Sequence, residues 1–322
     1  MRAVVFLFAL LSNAALAGTP LSSQDSMALL QKISSAAHQL NYQGTFIFQR
    51  ESQIESTRIY HLVDQSGEHQ RIVRLDGPPR EIICNGREMR FYYPDQQSME
   101  RERHAVARRG FPALLPDQLQ TLSENYQLEE AGHERLAGYG ARILLLIPKD
   151  GFRYGHKLWI DADSDLLLKA AMISDQDKVV EQFAFTYVKI GGRIDRDLLK
   201  PTLPVKAPAI LNDQPQGEDV IRSGWDVGNL PPGFRKIAEM RRMFRGKTYP
   251  VTHLVYSDGI VAVSVFIEPI QPGVRPMSGV ARQGAVNLYA HPASNYQITV
   301  VGETPAVTVK QIGDSVVFRG NP

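Results

Sequence analysis

Three carboxylates at alternate positions are the first residues of this chain that could do chemistry. Asp161, Asp163 and Asp165 stand between two apolar runs in the stretch KLWIDADSDLLLKAAMI. An EF-hand calcium loop has oxygen ligands at positions 1, 3 and 5, and it then requires glycine at position 6 and glutamate at position 12. Those two positions carry leucine and methionine here. We therefore interpret the aspartates as a solvated turn between two strands rather than as a calcium site.

Other catalytic patterns are missing from the sequence. There is no HExxH zinc motif and no GxSxG nucleophile elbow, and the eight histidines show no ligand spacing. Cys84 is the only cysteine, and beside a tight turn it is better explained as a buried structural thiol than as a nucleophile. We predict a binding protein without cofactor, metal or enzymatic activity. A hydrolase with an unmarked pair of carboxylates is the weaker alternative.

The N-terminus predicts export. Met1-Arg2 is followed by an apolar run from Val4 to Leu11, and Ala15-Leu16-Ala17 has the pattern that signal peptidase cleaves. The run is shorter than the roughly 20 residues that span a bilayer. We predict a signal peptide over residues 1–17 and a soluble periplasmic protein. With 36 basic and 34 acidic residues, no global charge indicates a nucleic-acid partner.

Two groups of side chains could bind a ligand or a partner. The first group is a set of rings on predicted strands that could line an apolar, lipid-binding pocket, although such rings more often form plain core: Phe46, Phe48, Phe183, Phe185 and Tyr187. The second group belongs to the basic stretch FRKIAEMRRMFRGK, where it could meet carboxylates of a partner or phosphates of a lipid: Arg241, Arg242 and Arg245. A solvated surface is the alternative for the basic stretch.

The elements that would position these groups are mostly strands. Residues Ser22 to Leu40 have helical spacing and a serine that can cap the helix. After them, strand-like runs follow one another, with Asn85-Gly86 as the strongest hairpin signal. The run KVVEQFAFTYVKI is apolar on both faces, which is typical of a sheet that is covered or curled around a cavity. We predict an α+β fold dominated by antiparallel strands.

The chain divides into two predicted domains. Residues 196–222 hold four prolines and no regular period, which favours an extended connector. An N-terminal domain is predicted over residues 22–195 and a smaller, β-rich domain over residues 223–322. The β-rich part includes the run AVTVKQI near the C-terminus.

Several stretches resemble the MucB/RseB family. They run in order through both predicted domains: NYQGTFIFQR, LDGPPREIICNGREMRFYYPD, RYGHKLWIDADSDLLLKAAMISDQDKVVEQFAFTYVKIG, GWDVGNLPPGFR and HLVYSDGIVAVSVF. The resemblance implies an N-terminal domain similar to the lipoprotein carriers LolA and LolB, an unclosed β-barrel with covering helices. It also implies a smaller β-rich C-terminal domain.

The same resemblance implies a function. Members of the family are periplasmic negative regulators of sigma-E, the sigma factor of the envelope-stress response. They bind the periplasmic part of a membrane-spanning anti-sigma factor of the RseA/MucA kind and shield it from the stress protease. Release follows when mislocalised lipopolysaccharide or lipoprotein is sensed, and the family is thought to self-associate. A periplasmic carrier of lipids or lipoproteins is the alternative function.

Overall fold

The computed structural model contains two large antiparallel sheets, a separate pair of strands and a few helices. It describes residues 18–86, 88–94, 110–116, 119–203, 209–212, 222–244 and 246–320. The predicted signal peptide, residues 1–17, lies outside this part of the chain. No helix among the described residues is both long and apolar enough to cross a membrane.

The N-terminal sheet has twelve strands in the order β1-β7-β8-β9-β10-β11-β2-β3-β4-β5-β6-β12, and its two edges do not pair with each other. The strands are β1 (Thr19–Pro20), β2 (Tyr42–Arg50), β3 (Gln53–Asp64), β4 (Gly67–Arg74), β5 (Glu81–Asn85), β6 (Glu88–Tyr92), β7 (Tyr126–Leu136), β8 (Tyr139–Pro148), β9 (Gly155–Asp161), β10 (Leu167–Ile173), β11 (Val179–Ile190) and β12 (Ala209–Asn212).

Two helices accompany this sheet. Helix α1 (Ser23–Gln39) begins where the Ser22 hydroxyl accepts a hydrogen bond from the backbone N–H of Asp25, as the capping pattern predicts. Its apolar face, with Leu30 and Ile33 almost fully buried, packs into the core on one face of the sheet. We call this the inner face. A shorter helix, α2 (Gln120–Asn125), precedes β7.

The predicted aspartate turn joins β9 to β10, but only part of it meets water. Asp163 is exposed, whereas Asp161 is 3% exposed. The Asp161 carboxylate accepts hydrogen bonds from the backbone N–H and the hydroxyl of Ser164, and Asp165 pairs with Arg142. The prediction that all three aspartates are solvated was therefore wrong, because one carboxylate turns inward to satisfy the turn's own donors.

The C-terminal sheet has six strands in the order β14-β15-β16-β19-β18-β17, and a separate pair of strands, β13-β20, packs against the same core. The strands are β13 (Trp225–Val227), β14 (Arg235–Arg242), β15 (Val251–Ser257), β16 (Ala262–Pro269), β17 (Gly279–Gln283), β18 (Val286–Ala293), β19 (Tyr296–Gly302) and β20 (Val316–Phe318). The fold class predicted from the sequence, mostly antiparallel β with an unclosed N-terminal sheet and a smaller β-rich C-terminal part, is confirmed.

The run AVTVKQI is a helix, not the strand that its β-branched residues suggest. Helix α3 (Ala306–Asp314) follows Pro305 and buries Val309 and Ile312, which are three residues apart and share one side of the helix. Both side chains pack into the core of the C-terminal sheet. Tertiary burial outweighs the weak local preference here.

The proline-rich connector contains more regular structure than the sequence indicates. A 3-10 helix spans Arg196–Leu199, and β12 adds itself to the twelve-stranded sheet beside β6. Residues 204–208 and 213–221 lie outside the described part of the chain.

The domain boundary at residues 196–222 stays a prediction, and limited proteolysis tests it. We expect the first cut by a low protease concentration to fall within residues 196–222, outside the paired strand β12, because proline-rich connectors make few protecting contacts. Mass spectrometry of the fragments locates the cut. A first cut inside residues 153–191 would contradict the boundary.

Candidate functional site

Four of the five predicted pocket rings lie together on the inner face of the N-terminal sheet. Strands β2 and β11 pair Phe48 with Phe183 and Phe46 with Phe185. Paired residues of antiparallel strands point to the same face, and the ring centroids of Phe48 and Phe183 are 4.7 Å apart. Phe46 and Phe185 are almost fully buried, and the other two rings are half-buried. We call these four side chains the aromatic layer.

The fifth ring, Tyr187, lies elsewhere. The register of β11 against β2 shifts between Phe185 and Tyr187, so that Tyr187 pairs with Thr45. A bulge of one residue moves the following side chains to the opposite face. Tyr187 is consequently 60% exposed, and it is not part of the aromatic layer.

A loop residue covers the aromatic layer. Phe111, in the segment Gly110–Pro116, is 1% exposed. Its ring centroid is 5.0 Å from that of Phe46, 4.9 Å from that of Phe185 and 5.7 Å from that of Phe183. Phe111 and Phe183 are nearly parallel, with an interplanar angle of 6°. In the described part of the chain, the predicted pocket surface is therefore filled by the protein's own side chain.

The basic stretch forms β14, which is an edge strand of the C-terminal sheet. Arg241 is exposed opposite Thr252, while Arg242 is half-buried opposite Val251. The two guanidinium groups therefore lie on opposite faces of the sheet. Arg245 lies outside the described residues, so its relation to this pair stays a prediction. The carboxylate of Glu239 on the same strand is held by Lys236 at 3.1 Å.

Two buried charges join the sheets. Arg153, from the loop before β9, donates from Nε to the Asp258 carboxylate at 3.0 Å, and both side chains are at most 1% exposed. The same guanidinium donates to Asp150 and to the backbone carbonyl of Pro232. We call the Arg153–Asp258 pair the interdomain ion pair. Because both charges are buried, removing either partner is expected to destabilise the fold strongly, since the other charge would stay buried.

A second contact between the sheets begins at the aromatic layer. The guanidinium of Arg50, at the end of β2, lies 5.3 Å from the centroid of the Phe48 ring. Arg50 donates to Glu181 at 2.9 Å and to Glu303, just beyond β19, at 2.8 Å. One side chain thus contacts the aromatic layer and the C-terminal sheet.

Two buried histidines lie near charged groups of these regions, His156 near Asp258 and His253 near Arg242, and both are neutral at pH 7. Burial lowers the pKa of His156 to about 4, although the nearby Asp258 carboxylate acts in the opposite direction. Burial, and then the Arg242 guanidinium, lower the pKa of His253 to about 4. His253 stacks on Phe266 with ring centroids 4.4 Å apart.

The structure gives no support for a metal site among the described residues or for a reactive thiol at Cys84. Among the described residues, no group of three or more His, Cys, Asp or Glu side chains could hold a metal ion. Burial, and then the charge of Glu68, raise the pKa of the Cys84 thiol to about 11. Such a thiol stays protonated at neutral pH and is a poor nucleophile.

Sequence reasoning missed Phe111 and the interdomain ion pair. Phe111 follows a stretch in which no regular pattern is visible, and Arg153 and Asp258 are 105 residues apart. The turn Ser257-Asp258-Gly259 was recognisable as a hairpin, but nothing local indicates that its aspartate faces another domain. The glycine-rich context of Arg153, in the stretch GFRYG, gives no signal either.

Family models match both halves of the chain. The model of the MucB/RseB N-terminal domain matches residues 25–203, and that of the MucB/RseB C-terminal domain matches residues 220–317. The matches follow in the order of the two sheets.

Individual proteins are similar over nearly the full length. The sigma-E factor regulatory protein RseB of Haemophilus influenzae is 27% identical over 323 residues, covering 99% of this chain and 100% of that protein. The sigma factor AlgU regulatory protein MucB of Pseudomonas aeruginosa is 28% identical, covering 91% and 90%. A chain from the solved complex of Pseudomonas aeruginosa MucA and MucB is 25% identical, with a TM-score of 0.76, and covers 92% and 100%.

Proposed function

This chain belongs to the MucB/RseB family, and we propose from that premise that it binds the periplasmic part of a membrane-spanning anti-sigma factor. By covering this partner it shields a cleavage site from the stress protease, and so it acts as a negative regulator of sigma-E. It works in the periplasm, by binding and not by catalysis. Lipopolysaccharide or lipoprotein that fails to reach the outer membrane releases the partner.

The observation that supports this proposal best is the extent of the likeness. Similarity to MucB covers both sheets at a TM-score of 0.76 against a chain solved with MucA. A protein that shared only the N-terminal sheet could be a carrier of lipids. The likeness of this chain extends through the second sheet, and the buried interdomain ion pair joins that sheet to the first.

The experiment that tests the proposal is a protection assay. The periplasmic segment of the anti-sigma factor from the same organism is incubated with the stress protease, with and without this chain. We expect this chain to slow cleavage in proportion to the fraction of the segment bound, as measured by calorimetric titration. Cleavage at an unchanged rate, with the segment saturated, would refute the shielding role.

A lipid carrier is the second candidate, and the aromatic layer favours it. Deletion of the gene separates the two functions. Raised basal output of a sigma-E reporter supports the regulator. Unchanged output, with lipoproteins stranded in the periplasm, supports the carrier.

The basic stretch gives a prediction about the partner interface. Changing Arg241 and Arg245 together to serine should weaken binding of the anti-sigma segment several-fold at low salt and less at high salt. Exposed charge pairs are typically worth ~0.2–1 kcal/mol each, and salt screens them. Titration at two salt concentrations measures the effect.

A matched control is available for this prediction. Arg135 and Arg193 are exposed in the N-terminal part of the chain, and changing both to serine removes the same two positive charges outside the basic stretch. We expect this variant to bind like the wild type. Identical affinities for all three proteins at both salt concentrations would show that the arginines of the basic stretch are a solvated face.

A further inference from the structure

The segment Gly110–Pro116 contains neither helix nor strand, yet its apolar side chains lie in the core of the N-terminal sheet. Phe111 is almost fully buried, and Leu114 and Leu115 pack against the same core. Buried loops are uncommon because the backbone polar groups of a loop need partners. Whether this segment can move away from the sheet therefore depends on the contacts that hold it there.

Side chains alone attach the segment to the sheet in the described part of the chain. The backbone hydrogen bond within it runs from the N–H of Leu114 to the carbonyl of Pro112, and none joins Gly110–Pro116 to any other described residue. By contrast, β2 is paired along its whole length with both β3 and β11. Moving the segment away would break apolar contacts but no interstrand hydrogen bond.

The surface beneath Phe111 is built for apolar groups. Its nearest rings, those of Phe46, Phe183 and Phe185, are phenylalanines and offer no hydrogen-bonding group. Ligand sites are mostly apolar, and in some proteins a loop that covers the site controls access to it. A flexible methylene chain would replace the contacts of one phenyl ring without leaving a polar group unpaired.

We propose that Phe111 is a displaceable plug, and that an acyl chain of a lipid takes its place on the aromatic layer. The proposal rests on the proposed function, because it specifies how a lipid signal enters the N-terminal domain. In the absence of lipid the plug keeps the layer dry. When lipid is present, the acyl chain must compete with Phe111 for the same surface.

This proposal and the simpler alternative, that Phe111 is an ordinary core residue, differ in their consequences. Truncation of an ordinary core ring destabilises the fold and leaves a closed cavity about the size of the lost ring, which is too small for a dodecyl chain. Truncation of a plug also raises the affinity for a ligand that the plug excluded, because the conformational cost of opening is removed.

The test is a titration of the full-length mature chain with a fluorescent C12 fatty acid. We expect Phe111→Ala to bind the probe at least tenfold more tightly than the wild type, and Phe111→Trp, with a larger plug, to bind at least threefold more weakly. The matched control is Phe91→Ala on β6, since Phe91 is also 1% exposed but lies outside the aromatic layer. Its affinity should stay within twofold of the wild type.

Several results would overturn the proposal. They are an unchanged affinity of Phe111→Ala, an equal gain in Phe91→Ala, and a gain in Phe111→Trp. Circular dichroism checks folding in each case. Should Phe111→Ala not fold, Phe111→Leu keeps an apolar group of smaller width, and we expect a gain of about threefold, with no gain overturning the proposal.

Competition identifies the source of the acyl chain. Lipopolysaccharide and a triacylated lipopeptide are each added to the complex of Phe111→Ala with the probe. Displacement by either one supports the proposal and shows which molecule carries the chain, whereas displacement by neither overturns it. The titrations contain no anti-sigma segment. Failure of the segment to bind wild type would therefore refute the proposed function without affecting this result.

Discussion

Replacing Asp258 by alanine should lower the free energy of unfolding by about 3–5 kcal/mol, the usual effect of removing one partner from a buried ion pair. The change leaves the Arg153 guanidinium, which has no exposed side-chain surface, with Asp150 as its remaining carboxylate partner and without the carboxylate from the second sheet. It also removes the acceptor of the backbone N–H groups of Ile260 and Val261, both at 3.0 Å. Urea denaturation followed by circular dichroism at pH 7 measures the loss.

Two further variants separate charge from general disruption. Asp197→Ala removes the carboxylate of an exposed ion pair with Lys200, and we expect no measurable change there. The double variant Arg153→Met with Asp258→Leu should recover part of the lost stability, because an apolar pair leaves no fully buried charge and Asp150, which loses Arg153, is partly exposed. A loss below about 1 kcal/mol in Asp258→Ala would mean that water reaches the interdomain ion pair, contrary to the structure.

Lowering the pH from 7 to 5 should reduce the free energy of unfolding through His156 and His253 by roughly 2 kcal/mol for each histidine. Both have a pKa of about 4 in the folded chain, against an ordinary value of 6.5. Between these values the unfolded chain binds protons that the folded chain does not, so stability falls as the pH falls. The loss of stability caused by the two histidines is close to zero above pH 7 and reaches its full value below pH 4.

Substitution isolates this effect from other titrating groups. The difference in unfolding free energy between pH 7 and pH 5 is compared for the wild type, His156→Gln and His253→Gln. We expect each variant to lose less stability on acidification than the wild type does. His133→Gln serves as the control, because this side chain meets water in the folded and unfolded states alike. Parallel pH profiles for all four proteins would show that the two histidines are not buried in solution.

The sequence predicts best what is decided by neighbouring residues. The cap and apolar stripe of α1, the hairpin at Asn85-Gly86 and most strands depend on local spacing, and the structure has them. The strand β7 was not recognised, because its register against β8 shifts between Glu130 and His133 and charged residues interrupt its alternation. Likewise, a bulge moved Tyr187 to the outer face, which strict alternation does not anticipate.

Contacts between distant segments account for the rest. The aromatic layer was partly foreseen, because its four rings lie on two strands with clear alternation. That β2 and β11 are neighbours, and that Phe111 covers them, depends on the path of the whole chain. The same holds for Arg153 and Asp258, since neither residue has a local motif that indicates a partner in another domain.

The double contact of Arg50 has a consequence for how the two proposed ligands of this chain, an acyl chain and a protein partner, would influence each other. Its guanidinium lies against Phe48 on one side and holds Glu303 of the C-terminal part on the other. A ligand that shifts Phe48 therefore moves Arg50. A ligand that prefers one arrangement of the two sheets acts on Arg50 as well, through Glu303. Thermodynamic linkage then requires reciprocity. If a bound acyl chain lowers the affinity for the protein partner by some factor, the bound partner lowers the affinity for the acyl chain by the same factor.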